Sequence, residues 1–251
     1  MTSSESNLFY MKNTTKPGQA ITQDLLKKAF NKYFKYRKNY NTINYLGNRE
    51  RYSSWDLCYN YFQKVFFVIP NPEIHDIRCA GLHLGFYLTS WGMLRNSFLL
   101  NWGIEKYEEL AKELHELKKE NNVDQYKKIK NFITENIEKD SKKIPTNTLI
   151  SKIMLGVYAN IPALDNFFKK AVNHYLNKKI NTKNEAETVV VIINEIFQQK
   201  IYEETIEGII EELQKKCFLA KGLSKEKILD GIFFQLGKDL LKKTTILNYS
   251  P

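Results

Sequence analysis

Three observations predict an all-α fold for this 251-residue chain. Apolar residues recur at three- and four-residue spacing through most of it, as one face of a helix requires. Side chains that cap helix starts stand just ahead of several of those runs. No segment shows the period-two alternation with turn dipeptides that marks strand hairpins. These rules count about ten helices in a compact globular protein, as one helical domain over 22–251 with a lobe boundary expected near 140–146.

Residues 1–21 read as a flexible polar arm. Thr22 is the expected N-cap of the first helix, with Asp24 in its first turn and Leu25, Leu26, Ala29, Phe30, Tyr33 and Phe34 on its apolar face. A polar connector over 39–51 holds the turn pair Gly47-Asn48. Ser53 or Ser54 caps a helix carrying Trp55, Cys58, Tyr59, Phe62, Val65 and Phe66, which must stop before Pro70 and Pro72. Asp76 is expected to start a long apolar helix running to Leu100. Gly81, Gly85 and Gly92 lie inside it, each costing roughly 1 kcal/mol relative to Ala. Small residues at such positions let another helix or a ligand approach closely.

Residues 104–119 and 123–139 are amphipathic, with Tyr107, Leu110, Leu114 and Leu117 on one apolar face and Tyr126, Ile129, Phe132, Ile133 and Ile137 on the other. Ile144-Pro145-Thr146 marks a boundary before the face formed by Leu149, Ile150, Ile153, Met154 and Val157. Pro162 restarts the chain into a helix over 163–176. Asn184 caps the next one, whose 189–193 run could pass for a strand but has helical flanks. Two more helices follow over 202–220, ending at Gly222, and over 224–243.

The bulk composition narrows the function classes. With 43% apolar and 26% charged residues the chain is globular, not disordered. A net charge of +10 favours polyanionic partners such as nucleic acid, DNA or RNA, or an acidic membrane. Cys58, Cys79 and Cys217 show neither zinc spacing nor a disulfide framework, so reduced thiols in a cytoplasmic protein are expected. The N-terminus lacks a hydrophobic signal core. The longest apolar run, over 79–102, is broken by His83, Ser90, Arg95 and Asn96 and reads as a buried helix, with no membrane partner expected. Walker, Rossmann, His-Glu-x-x-His, Gly-x-Ser-x-Gly and kinase patterns are all missing, so no cofactor and no metal is expected.

Four constellations carry chemistry. In the first, Lys152 precedes the pinch Asn160-Ile161-Pro162, and Asp165 follows it in the first turn of the next helix, where peptide N–H groups favour a carboxylate. An acid there also has a purely structural use. The segment KIMLGVYANIPALDNFF resembles the helix-hairpin-helix DNA glycosylase superfamily in the order of its parts. That resemblance, over about 144–177, implies a base-excising enzyme. Lys152 would stand where the bifunctional members keep a lysine nucleophile. Asp165 would stand where the family keeps the aspartate that stabilises the cationic sugar or activates the nucleophile. The hairpin Ile144-Pro145-Thr146-Asn147-Thr148 lacks the family's glycines, and the Lys-to-Asp interval is short.

In the second, Arg78 and His83 resemble the Arg-x4-His motif of HEPN ribonucleases of toxin–antitoxin and phage-defence systems. This implies His83 as the proton-transfer group, Arg78 as the charge stabiliser and a homodimer. The third is the four-residue row Tyr87, Trp91 and Arg95, extended backwards by His83, which could line a pocket for a base. The fourth is the basic stretch Lys27, Lys28, Lys32, Lys35, Arg37, Lys38, Arg49 and Arg51, interleaved with tyrosines, which suits phosphate contact and base stacking. A catalytically inert interaction protein is the remaining class.

Overall fold

Apolar positions at helical spacing build the expected architecture. The computed structural model describes residues 21–34, 53–95, 97–136, 145–178, 180, 186–216 and 223–248. Among them run ten α-helices and no strand: α1 (Gln23–Tyr33), α2 (Ser53–Lys64), α3 (Ile74–Ser90), α4 (Ile104–Glu116), α5 (Asn122–Glu135), α6 (Asn147–Val157), α7 (Asn166–Leu176), α8 (Ala186–Phe197), α9 (Lys200–Lys216) and α10 (Lys225–Asn248). No described helix is long and apolar enough to cross a membrane. The expected polar arm up to residue 20, the cap Asn184, the stop Gly222 and most of the anticipated 140–146 boundary lie outside the described residues.

Helix starts follow local side-chain chemistry. Thr22 and Thr146 each accept the N–H three residues on, from Leu25 at 3.2 Å and Leu149 at 3.1 Å. Ser224 accepts from Lys227 at 3.0 Å and so caps α10. Each bond satisfies a donor that the first helical turn cannot. α3 begins two residues earlier than expected. Glu73 is its N-cap, and Asp76 reaches back to accept the Glu73 N–H at 3.0 Å. It also ends ten residues early, at Ser90. Trp91 is the C-cap, and Gly92 takes φ 72°, a left-handed turn that glycine adopts without steric cost.

The core sits around α6. Every residue from Leu149 to Val157 is buried, so this helix has no solvent face. α2, α3 and α5 pack against it. α10 forms a second spine, packed on α7 and α1. Its approach to α7 is close enough that a Cβ at Gly237 would overlap the Phe167 backbone. Buried residues from all ten helices join one hydrophobic cluster.

Candidate functional site

The ends of α6 and α7 meet in a short, heavily tethered connection. α6 closes with Ala159 at φ 52°, a left-handed position where glycine is usual. Its N–H and that of Tyr158 both donate to Met154 O, at 3.0 and 2.9 Å. The last carbonyls of α6 take donors from α2: Trp55 Nε1 to Leu155 O at 2.7 Å and Gln63 Nε2 to Val157 O at 2.8 Å. The Ser224 hydroxyl donates to Ala159 O at 2.6 Å. The Asn160 amide donates to Asn122 Oδ1 and Gln125 Oε1, at 2.8 and 2.6 Å. Leu164 is held on both sides, its N–H by Ser151 Oγ at 2.8 Å and its carbonyl by Thr148 Oγ1 at 2.7 Å. A strained residue persists where its surroundings over-determine the backbone, and such sites cluster where function demands them.

This connection delivers Asp165. It is the N-cap of α7, one step before the first turn in which the sequence places it. Helical geometry starts only at Asn166, because 159–164 is irregular chain with a bend at Ile161 and no helix begins at Pro162. Asp165 Oδ1 accepts the N–H groups of Phe167 and Phe168, both at 3.0 Å. Its other oxygen, Oδ2, lies 3.6 Å from Lys152 Nζ. The Lys152 side chain is 5% exposed and that of Asp165 14%. Lys152 also stands over the Trp91 ring, 4.4 Å from its centroid.

A second pair, absent from the sequence reading, shares the space. On the first turns of α10, Lys227 Nζ lies 2.9 Å from Asp230 Oδ2. The signal was present in the chain: Lys227 and Asp230 fall among Leu223, Ile228, Leu229, Ile232, Phe233 and Phe234, at spacings that put both on the apolar face. Tyr33, Trp55, Tyr87 and Trp91 surround the charges.

Burying isolated ions costs several kcal/mol each, which the opposite charges only partly offset. The cluster therefore contributes little net stability, and perturbed ionisation in such a place marks a functional candidate. Burial lowers the Lys152 pKa below that of an ordinary lysine, against the pull of Asp165 and Asp230. Burial likewise raises Asp165 above the usual carboxylate range, against the pull of Lys152. Tyr87 is pushed well upward by burial and then by Asp230, Cys58 and Asp165. Burial thus works against the charged form of both groups, and each charge supports the other.

The other candidates fall elsewhere. Tyr87 and Trp91 join the cluster, but Arg95 does not. With α3 ended at Ser90, the four-residue row is broken and Arg95 lies on an exposed turn. Arg78 and His83 engage different neighbours. Arg78 Nε donates to Glu108 Oε1 on α4 at 2.6 Å, whereas His83 stacks on Tyr61 of α2 with ring centroids 4.1 Å apart. Partial burial lowers the His83 pKa. Of the basic stretch, Lys27, Lys28 and Lys32 are exposed on α1. Lys28 pairs with Asp24 at 2.7 Å and Lys32 with Asp239 at 2.6 Å. Lys35, Arg37, Lys38, Arg49 and Arg51 lie outside the described residues.

No family model, curated protein or solved structure matches this chain.

Proposed function

We propose that the chain is a nucleic-acid-binding enzyme of the helix-hairpin-helix glycosylase kind, acting on a DNA base with Lys152 and Asp165 as its reacting pair. One observation carries this reading: a buried lysine and an aspartate lie 3.6 Å apart on consecutive helices, in the chain order the resemblance implies. In the step such a pair supports, the neutral Lys152 nitrogen bonds to C1′ of the sugar as the bond from C1′ to the base nitrogen breaks. The base departs with that electron pair, and the proton shed by the alkylated amine neutralises it. Asp165 stabilises the positive charge that develops at the sugar. Asp165 is the more open of the two, so the substrate approaches from the N-terminus of α7. Lys169, which faces Asp165, and the half-buried Phe167 are on that same first turn.

The net charge of +10 supplies the attraction for a phosphate backbone. Phosphates that engage Lys28 and Lys32 must displace Asp24 and Asp239, which makes that contact weak and salt-sensitive. Binding to DNA should therefore be clear at low salt in a gel shift and fall at least tenfold at moderate salt. On a panel of damaged-base oligonucleotides, the wild type should release a base; the amine nitrogen's electron pair then expels O4′, which takes a proton as the sugar ring opens, and borohydride reduces the resulting iminium to a stable covalent adduct. Lys152→Gln should form none. Failure to bind either nucleic acid at low salt, or no excision across the panel, retires this reading. RNA cleavage that requires His83 would move the assignment to the ribonuclease alternative.

A further inference from the structure

Asp230 and Lys227 reach the connection ahead of Asp165 and the rings that surround the charges. Asp230 uses both oxygens, Oδ2 accepting from Lys227 Nζ at 2.9 Å and Oδ1 from the Ala163 N–H at 3.0 Å. Ala163 stands two residues before Asp165, so that bond fixes the last part of the connection. Lys227 Nζ also donates to the Tyr33 hydroxyl at 3.1 Å. It lies over the Trp55 and Trp91 rings, 5.1 and 5.7 Å from their centroids. Trp91 is the ring that Lys152 covers from 4.4 Å. One indole therefore faces two lysine nitrogens, one paired inside α10 and the other facing Asp165. All of Lys227 and Asp230 is buried, at 1% and 3% exposure.

We propose that Lys227 and Asp230 are positioning residues for the Lys152–Asp165 pair: Asp230 anchors the connection that delivers Asp165, and Lys227 holds Asp230 while fixing a second cation on the ring that Lys152 touches. This rests on the reading of Lys152 as the reacting amine. The charged groups facing Lys152 are Asp165 of α7 and Asp230 and Lys227 of α10. Tyr87 of α3 faces the two carboxylates and Lys169 of α7 faces Asp165, so neither adds a third anion at the lysine under ordinary conditions. A neighbouring cation disfavours a protonated amine and a neighbouring anion favours it. The two members of the α10 pair thus pull the Lys152 midpoint in opposite directions.

Nuclear magnetic resonance of protein labelled with ¹³C at lysine Cε reads that midpoint without any substrate. The Lys152 signal is identified by its loss in Lys152→Met. In the wild type it should titrate below the exposed-lysine value of about 10.4. Lys227→Met should raise the midpoint by about 1 pH unit, since Asp230 is left without its cation. Asp230→Asn keeps an acceptor for the Ala163 N–H and should lower it by about 1 unit, since an anion that favours the protonated Lys152 is gone. Lys227→Arg should stay at the wild-type value. The double variant Lys227→Met/Asp230→Leu removes both members of the α10 pair and both opposed influences on Lys152, so it should return close to wild type. Loosened packing alone would carry both singles upward toward an exposed lysine. A wild-type midpoint at or above that of an exposed lysine overturns the proposal. So do shifts of the same sign in the two singles, or a double variant displaced by a unit or more. Excision assays report separately: an inactive wild type that still shows opposed shifts retires the glycosylase reading and leaves the positioning role intact.

Discussion

On the proposed chemistry, Asp165→Asn lowers base excision by about two orders of magnitude or more while the protein stays folded. The two oxygens of Asp165 do different work, and the substitution separates them. Oδ1 caps α7 through the Phe167 and Phe168 N–H groups, and an asparagine carbonyl caps a helix about as well. Oδ2 faces Lys152 at 3.6 Å and supplies the negative charge. Removing that charge costs about 0.3–1 kcal/mol of helix-dipole interaction. Without the Asp165 charge, the burial that lowers the Lys152 pKa is opposed less, so the lysine gives up its proton more readily in the variant than in the wild type. A thermal melt should therefore move by only a few degrees, roughly what 1 kcal/mol gives in a chain of this size. Single-turnover excision, run beside the melt, shows the loss. Undiminished excision by Asp165→Asn would reduce Asp165 to a helix cap.

What the sequence disclosed, and what it hid, divides along physical lines. Local chemistry was legible. Thr22 caps the helix it was expected to cap, because an N-cap needs only its own next three residues; Thr146, read only as a boundary, and Ser224, read as a first helical residue, cap theirs in the same way. The 189–193 run lies in α8 and not in a strand, as its flanks indicated. The approach of Lys152 to Asp165 was also implied by chain order, since a short tethered turn can bring consecutive helices together. Tertiary decisions were not legible. The apolar run past Ser90 looked helical to Leu100, yet Gly92 in a left-handed turn ends it and carries Arg95 away from Tyr87 and Trp91. Asp165 moved from the first turn to the cap because side chains of α5, α6 and α10 hold 159–164 in non-helical form. Lys227 and Asp230 were passed over because a lysine and an aspartate three apart usually lie on a solvated face. Their place among the apolar residues of 223–234 was the signal against that expectation, and the packing of α10 against α1 and α7 puts them inside.

Gly237→Ala should destabilise the protein by about 2–3 kcal/mol and also disturb the site. Taken alone, alanine in a helix interior is better than glycine by about 1 kcal/mol. Packing reverses that sign here. A Cβ at Gly237 would overlap the carbonyl oxygen, carbonyl carbon and Cα of Phe167, all backbone atoms that no rotamer change can move aside. Either α10 shifts away from α7 or the first turn of α7 is displaced. That turn holds the N–H groups on which Asp165 depends, so its displacement also changes the 3.6 Å approach to Lys152. The melting temperature should fall by roughly 4–12 °C, and excision by the fraction that remains folded should fall with it. Gly208→Ala is the matched control. Gly208 is exposed within α9, and a Cβ there meets no atom within 4 Å. It should gain about 1 kcal/mol and leave excision unchanged. Equal stabilisation by both substitutions would mean that α7 and α10 are not in backbone contact at Gly237, and the placement of Asp165 would then rest on its tethered connection alone.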